Sequence, residues 1–386
     1  MQNTAVIGRK SNKAFMILSA LGILFVVDSH VGPNFSVIFR VFHYDSFYMP
    51  MFAFISGYFF SEKYIQSWNS MIRYTDRKIR NLLIPYFQWI LFYGIVTDIL
   101  RRFDILEIGV PSLRDLVYCV VTSGTSFSFN DPAWFVPLLF CVSITYALIR
   151  KLMARHWNHY FALVIFVLLG AGAVALSRTD RFPHIAIMLL KVSCFLQYYH
   201  LGVLFREKLE KWFDSVHPLL ICVSAIAVNC ILMSVYGSGI YMPMYANMEG
   251  YALDAPFVPF LAAISGISFW LKISKCLVPV LGQNKLVNFI SDNTFFIMTH
   301  HLGVKHLFLA LLIGLNNTGM MDFSGIDLAQ FRMYGWYTYP DSFLCSLLCL
   351  LFTVAMLIPL CALYLRIQRK FSGFIHLRHR EKNRDH

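Results

Sequence analysis

Long runs of apolar residues separated by short polar segments dominate the pattern of this chain. An α-helix that crosses a bilayer needs about 17–25 such residues, and fewer can suffice where a partner helix covers the gap. Ten segments meet this description: 14–31, 47–60, 82–100, 133–149, 160–177, 185–205, 218–236, 257–271, 294–315 and 343–365. The pattern therefore predicts an all-α polytopic membrane protein with about ten transmembrane helices.

The second segment, 47–60, is the exception among the ten. It has only fourteen residues and contains Pro50 and Gly57. We expect it either to be broken or to lie against other helices, where neighbouring groups can satisfy its free backbone atoms. Residues 286–293, just before the ninth segment, fit either a loop or a helix.

Lysine and arginine residues concentrate on one side of the predicted helices. With the amino terminus inside, the predicted cytoplasmic segments carry 24 of the 33 Lys and Arg residues and the outer loops carry 7. Cytoplasmic loops of membrane proteins carry such an excess. We predict a cytoplasmic tail at 1–13, a single transmembrane domain at 14–365 and a basic cytoplasmic tail at 366–386.

Composition supports the same class of protein. Hydrophobic residues make up 58% of the chain and charged residues 14%, with a mean hydropathy of +0.58. Soluble domains average roughly 45–50% apolar and 25% charged residues. The net charge of +12 is explained by anchoring at the membrane surface, so no nucleic-acid partner is predicted. The nine cysteines lack the spacing of metal ligands, so no metal site is predicted either.

Polar side chains inside the apolar segments are the candidates for chemistry, because they are costly to place there. His30 lies near the end of the first segment, roughly 24 Å above Ala14 at 1.5 Å per residue. Lys191 lies six residues into the sixth segment, which runs inward, and so about 9 Å below the outer surface. The two side chains are therefore expected at similar depth.

The ninth segment carries four more titratable side chains: His300, His301, Lys305 and His306. His301 and Lys305 are four residues apart and share a helix face, whereas the other two point elsewhere. We expect a polar cavity in which His30, Lys191 and part of this cluster meet. Two alternatives stay open: Lys191 extends to the outer interface, or the cluster lines the cavity without a direct chemical role.

Short motifs follow one another along the chain in a definite order. The strongest are the segment 22–30, Met49-Pro50-Met51-Phe52 followed by Ser56-Gly57-Tyr58, and the basic segment 77–86. Weaker ones are Trp134-Phe135-Val136-Pro137, His200-Leu201-Gly202-Val203-Leu204-Phe205 and Leu281-Gly282-Gln283-Asn284. In this order the chain resembles acyltransferase family 3, whose members are integral membrane enzymes that esterify sugars of the cell envelope.

The resemblance implies roles for particular residues. The histidine at the end of the family's first helix corresponds to His30, which we expect to act as a general base when a hydroxyl attacks the donor thioester. The basic residues before the family's third helix correspond to Arg77 and Arg80. Together with Arg73 and Lys78 they are expected to bind the phosphates of the donor, acetyl-CoA. The expected cavity residues are Trp134, Lys191, His300, His301, Lys305 and His306.

One position departs from the family pattern. Members usually carry Arg or Lys eleven residues before the histidine. That position lies on the same helix face as the histidine, about 16 Å lower. Here that position is Ser19. Donor phosphates are then expected to bind elsewhere, at Lys13 or at the basic cluster between residues 73 and 80.

The resemblance implies a fucose 4-O-acetylase-like enzyme of the bacterial cytoplasmic (inner) membrane. It would transfer an acyl group, acetyl being expected, from cytoplasmic acyl-CoA to a sugar hydroxyl of an exported or lipid-linked glycan, such as O-antigen, capsule or exopolysaccharide. Membrane lipids are the other expected partner. The acceptor sugar, the oligomeric state and the choice between direct transfer and an acyl-enzyme stay open.

Two other functions are alternatives to an acyltransferase. A transporter or flippase of glycans or lipids would also have ten or more helices, but the sequence lacks the matching halves with broken helices that such folds usually show. A non-catalytic membrane scaffold would need neither a titratable histidine at the end of a span nor a cluster of cations in an inner loop.

Overall fold

The structure is a computed structural model that describes residues 12–31, 42–108, 118, 128–177, 186–237, 255–318, 328–334 and 343–382. These ranges contain helices and short connections but no β-strand. Residues 1–11 of the predicted amino-terminal tail and 383–386 of the carboxy-terminal tail lie outside the described residues.

The described ranges contain these α-helices: α1 (Lys13–Val31), α2 (Tyr44–Tyr58), α3 (Trp68–Lys78), α4 (Ile84–Arg102), α5 (Phe135–Leu152), α6 (His159–Ser177), α7 (Ile187–Leu204), α8 (Glu210–Ser215), α9 (Pro218–Tyr236), α10 (Val258–Leu281), α11 (Lys285–Asp292), α12 (Thr294–Asn317), α13 (Leu328–Tyr334) and α14 (Phe343–Lys382). Short π-helical turns at Ile79–Leu83 and Phe205–Leu209 join α3 to α4 and α7 to α8. A 3₁₀ segment, Ser128–Trp134, leads into α5.

Nine helical stretches in the described part of the chain are long and apolar enough to cross a membrane: Lys13–Val31, Trp68–Arg102, Phe129–Leu152, His159–Ser177, Ile187–Ser215, Pro218–Tyr236, Val258–Leu281, Thr294–Asn317 and Phe343–Lys370. Together with the shorter α2, they correspond one to one to the ten predicted segments. The prediction of an all-α polytopic membrane protein is confirmed.

Helix α2 is continuous despite Pro50. The second segment is therefore not broken, and it packs against other helices, which was the other expectation. Its neighbours are α7, α10 and α1. The side chains of Phe47, Met51 and Phe54 are almost completely buried among them. A helix of fifteen residues is therefore sustained inside the bundle by its neighbours.

Two glycines allow α2 and α7 to approach each other closely. A Cβ atom added at Gly57 would overlap the carbonyl oxygen of Tyr199, and one added at Gly202 would overlap the carbonyl oxygen of Phe54. The two motifs that contain these glycines, Ser56-Gly57-Tyr58 and His200-Leu201-Gly202, therefore meet at one helix–helix contact.

Two later helical boundaries differ from the predicted ones or settle an open choice. Helix α10 continues ten residues beyond the predicted end of its segment, to Leu281, so Lys272 lies within the helix and is buried. Its ammonium group donates hydrogen bonds to the carbonyl oxygens of Phe213 (2.8 Å) and Val216 (2.7 Å) at the end of α8. The ambiguous stretch 286–293 is largely helical, as α11.

Candidate functional site

His30 lies in the last turn of α1, with its side chain half-buried. Its Nδ1 is 2.7 Å from the carbonyl oxygen of Val26. Because a carbonyl oxygen can only accept, Nδ1 must carry the hydrogen, and in the neutral ring Nε2 then has the lone pair. A lone pair on a fixed ring nitrogen is what a general base requires.

His301 of α12 lies beside His30, and Nδ1 of its ring also faces a backbone carbonyl oxygen of its own helix. The two ring centres are 5.0 Å apart, with 61° between the ring planes. Nδ1 of His301 is 2.7 Å from the carbonyl oxygen of Met298. His301 is fully buried, and its Nε2 has no hydrogen-bond partner among the residues that the structure describes. Both neutral rings therefore carry their lone pair on Nε2, and their ring centres lie within 5.0 Å of each other.

Lys305 is one helical turn beyond His301 and is also fully buried. Its ammonium group donates a hydrogen bond to the backbone carbonyl oxygen of His30 across 2.6 Å. The helix face predicted to carry His301 and Lys305 together thus meets the end of α1, and the structure brings these two residues and His30 into one cluster.

Lys191 is fully buried below an aromatic ring and does not extend to the outer interface. Its ammonium group lies 4.8 Å from the ring centre of Trp134. Trp134 ends the 3₁₀ segment Ser128–Trp134, which also carries Asp131, a carboxylate that sequence reasoning did not single out. The available signal was its place three residues before Trp134.

His300 faces away from His30, toward α4. Its Nδ1 is 2.7 Å from the hydroxyl oxygen of Tyr93. Its ring contacts those of Trp89 and Phe296, each with a centroid distance of 4.1 Å. His300 therefore belongs to an aromatic cluster outside the His30 group.

His306 also lies apart from His30. Its ring stacks on that of Phe331 at 4.2 Å and contacts Phe129 at 5.0 Å. Together with His300 it lines a cavity of about 500 Å³ between α4, α12 and α14 whose walls are otherwise mostly apolar.

The predicted donor-binding cations lie on α3 and the π-helical turn after it, in a group separate from His30. Arg80 pairs with Asp76 at 3.0 Å, and both side chains are largely exposed. Arg73 is exposed and donates to the hydroxyl of Ser70 across 3.4 Å. These two guanidinium groups are accessible to a ligand outside the helix bundle.

Arg77 and Lys78 are held against aromatic rings. The guanidinium carbon of Arg77 lies 5.8 Å from the ring centre of Tyr64, and the ammonium nitrogen of Lys78 lies 5.6 Å from that of Tyr74. The two tyrosine rings stack on each other at 4.7 Å. Stacking of this kind fixes the position of the cations while leaving their charge available.

Two further residues clarify the sequence patterns. Ser19, at the position where the family usually has a cation, is fully buried, and its hydroxyl has no partner among the described residues. His200 is held by the hydroxyl of Tyr146 at 2.9 Å and by the carbonyl oxygen of His159 at 2.9 Å. Both ring nitrogens of His200 are thus engaged in hydrogen bonds within the helix bundle, as expected of a structural histidine.

Comparison with known proteins identifies the family. No curated protein and no solved structure matches the chain. A family model described as an acyltransferase domain matches residues 14–325, which include every residue of the His30 cluster. That match spans most of the sequence and agrees with the apolar helices and the histidine at the end of the first of them. The chain belongs to acyltransferase family 3 and is a multi-pass membrane acyltransferase.

Proposed function

We propose that this acyltransferase transfers an acyl group, expected to be acetyl, from cytoplasmic acyl-CoA to a sugar hydroxyl of an exported or lipid-linked glycan. The observation that carries the proposal is the tautomer of His30. Its Nδ1 hydrogen is directed to Val26, which leaves the Nε2 lone pair to accept a proton. A hydroxyl is a poor nucleophile until such a base withdraws its proton.

The reaction moves one proton from the acceptor hydroxyl to the thiolate of CoA, with His30 as the carrier. As the acceptor oxygen attacks the thioester carbonyl, its hydrogen passes to Nε2 of His30 and a new C–O bond forms. The C–S bond then breaks with its electron pair on sulfur, and the protonated His30 returns the proton to the thiolate. The products are the ester and free CoA, and His30 is neutral again.

The basic helix α3 supports binding of the donor. Donor phosphates are multiply charged groups, and the planar guanidinium of arginine binds their oxygen atoms in a bidentate manner. Arg73 and Arg80 are exposed, and Arg77 and Lys78 are held by the stacked tyrosines. A charged nucleotide bound there would stay in water while only its acyl-bearing arm enters the bundle. This assignment, like the fucose 4-O-acetylase-like subtype and the bacterial inner membrane, is a prediction.

The test is transfer from labelled donor in oriented membranes. Inside-out vesicles from cells that express the chain receive [¹⁴C]acetyl-CoA, and base-labile label is counted in the glycan and lipid-linked fractions. Incorporation is expected in inside-out vesicles and not in right-side-out ones, because the basic residues are predicted to be cytoplasmic. Vesicles that carry His30→Gln are the control. Equal incorporation in both orientations would contradict a cytoplasmic donor, and none in either would contradict acetyl transfer from CoA.

A further inference from the structure

A hydrogen bond between two buried side chains joins α4 to α12. The hydroxyl oxygen of Tyr93, on α4, is 2.7 Å from Nδ1 of His300, on α12. The rings of Trp89 and Phe296 contact that of His300 on either side of this bond. All four residues line the cavity of about 500 Å³ between the two helices and α14. The bond therefore ties α4 to α12 beside a cavity, where close packing is interrupted.

The hydrogen in this bond is assigned to Tyr93. Nε2 of His300 has no hydrogen-bond partner within the described part of the chain. If Nδ1 carried the hydrogen, the hydroxyl hydrogen of Tyr93 would lack an acceptor as well. Buried polar groups are rarely left unpaired, so the arrangement with fewer unpaired groups is favoured. Tyr93 therefore donates and Nδ1 of His300 accepts.

Gly303 gives the tyrosine hydroxyl room to reach His300. It lies in α12, three residues after the histidine. A Cβ atom added at Gly303 would be 2.9 Å from the hydroxyl oxygen of Tyr93 and 3.2 Å from a carbon of its ring. These separations are shorter than van der Waals contact, so the tyrosine side chain would have to move. The glycine therefore allows the approach on which the hydrogen bond depends.

The same helix carries two groups that contact His30. His301 follows His300 directly, and its ring centre is 5.0 Å from that of His30. Lys305 donates its hydrogen bond to the backbone carbonyl oxygen of His30. A shift or rotation of α12 would move both groups at once, because a helix transmits displacement as a rigid element. Tyr93 thus restrains α12 at the residue next to the ring that contacts His30.

We propose that Tyr93 is a positioning residue for acyl transfer: its hydrogen bond to His300 keeps α12 in place against His30. Tyr93 touches neither the donor nor the acceptor and exchanges no proton with them. The inference rests on the proposed function, because it assumes that His30 is the base in acyl transfer. It adds α4, the helix that follows the predicted donor-binding cations, to the elements that support the reaction centre.

Tyr93→Phe removes the hydroxyl and keeps the ring. We expect kcat to fall roughly 10-fold or more, since a displacement of about 1 Å at a catalytic group can cost on the order of 10²-fold in rate. The KM for acetyl-CoA should stay within about twofold of wild type, because no donor contact is lost. The melting temperature should also fall, because Nδ1 of His300 loses its partner. His300→Asn should retain more kcat than His300→Leu, since its amide oxygen can accept from Tyr93.

Tyr146→Phe is the matched control. Tyr146 is also buried, and its hydroxyl oxygen is 2.9 Å from Nδ1 of His200, but this pair joins α5 to α7. Its loss should lower the melting temperature in the same way and leave kcat per folded molecule unchanged. A loss of kcat that is confined to Tyr93→Phe therefore separates positioning from a general loss of stability.

Gly303→Ala displaces the hydroxyl without removing a polar group, so it should also lower kcat. Combined with Tyr93→Phe, it should lower kcat by less than the product of the two separate effects, because the hydroxyl that it displaces is already absent. Gly314→Ala, in the same helix, is the control. A Cβ atom at Gly314 would meet nothing within 4 Å, and kcat should match that of wild type.

The assay is transfer from [¹⁴C]acetyl-CoA in inside-out vesicles, with base-labile label as the readout and the melting temperature of each purified variant measured alongside. A wild-type kcat per folded molecule in Tyr93→Phe would overturn the positioning role. An equal loss of kcat in Tyr146→Phe, or independent effects of Tyr93→Phe and Gly303→Ala, would overturn it as well. All three results leave the proposed function standing. If the folded wild-type chain incorporates no label, the proposed function fails and this inference fails with it.

Discussion

Lys305 and His30 are joined by a hydrogen bond from the lysine ammonium group to the histidine backbone carbonyl, with 2.6 Å between the two atoms. The last carbonyl groups of a helix have no partner within the helix, and a positive charge near them is favourable. His30 is the penultimate residue of α1. A buried lysine of α12 therefore holds the part of the backbone from which the proposed base projects.

Replacing Lys305 by Met should lower turnover more than donor binding. Without the hydrogen bond the end of α1 is free to shift, and a displacement of about 1 Å at a catalytic group can cost on the order of 10²-fold in rate. We expect kcat to fall at least 10-fold on this basis, with the KM for acetyl-CoA within about twofold of wild type. Lys305→Arg should recover part of kcat, since it keeps a charged donor. Steady-state kinetics in membranes measures both constants.

Lys272→Met is the control for this experiment. Lys272 is also a buried lysine that donates hydrogen bonds to backbone carbonyl oxygens at a helix end. These carbonyl oxygens belong to Phe213 and Val216, at the end of α8 and not of α1. Its loss should reduce stability without changing kcat per folded molecule. If both lysine variants lose kcat alike, or if neither does, the positioning role of Lys305 is wrong.

Replacing His30 by Gln should lower acyl transfer by roughly 10²- to 10⁴-fold, the usual contribution of a positioned acid–base group. Glutamine keeps the polarity but cannot take up a proton near neutral pH. The measurement is the base-labile ester content of envelope glycans at matched expression, with the melting temperature of the purified variant. His200→Gln is the control, because both ring nitrogens of His200 form hydrogen bonds within the helix bundle. It should lower stability and retain transfer, whereas wild-type ester levels in His30→Gln would exclude the general base.

The helical fold was predictable from the sequence because a bilayer requires long apolar runs, and each run became a helix. Depth along a helix and the four-residue spacing of His301 and Lys305 also predicted that part of the ninth segment would approach His30. The exact ends of helices were less predictable. The hydropathy pattern places Lys272 in a loop. Its burial within α10 is explained by its hydrogen bonds to the carbonyl oxygens of Phe213 and Val216, at the end of α8.

The surroundings of Lys191 could not be predicted in the same way. The 3₁₀ segment Ser128–Trp134 lies mostly before the fourth apolar segment, where neither helical period nor membrane depth assigns a direction to a side chain. Lys191 had two possible environments, and the choice depended on Trp134, a residue far from it in sequence. Contacts of this kind depend on how separate helices pack, and one sequence carries no signal for them.

Replacing both Arg77 and Arg80 by Ala should raise the KM for acetyl-CoA about 10-fold or more, since hydrogen bonds to charged groups are the stronger ones. Phosphate contacts made equally in ground and transition states affect KM and not kcat. Protease accessibility of the loops must confirm correct insertion, because these charges also influence topology.

Arg102→Ala is the matched control for the arginine pair. Like Arg80, Arg102 is exposed and pairs with an aspartate four residues before it, Asp98 at 2.9 Å, but it lies at the opposite end of α4. Its loss should leave the KM for acetyl-CoA unchanged. Normal donor saturation in the double variant would place the donor site elsewhere on the protein.

Replacing Gly57 by Ala should destabilise the contact between α2 and α7 without removing any chemical group. The added methyl group would overlap the carbonyl oxygen of Tyr199, and a backbone atom cannot move aside as a flexible side chain can. Overpacking of this kind typically costs about 1–3 kcal/mol. Gly202→Ala should have a similar effect, because it overlaps the carbonyl oxygen of Phe54.

Gly172→Ala separates this packing effect from the general effect of adding a methyl group to a helix. Gly172 lies within α6, and a Cβ atom there would meet nothing within 4 Å. Alanine in a helix interior is favoured over glycine by roughly 0.5–1 kcal/mol, so this variant should match or exceed the wild-type melting temperature. A fluorescence-based thermal melt of the three purified variants in detergent measures the difference. If Gly57→Ala and Gly202→Ala have the same melting temperature as Gly172→Ala, the close approach of α2 and α7 does not limit stability. The glycines of the two motifs would then serve another purpose.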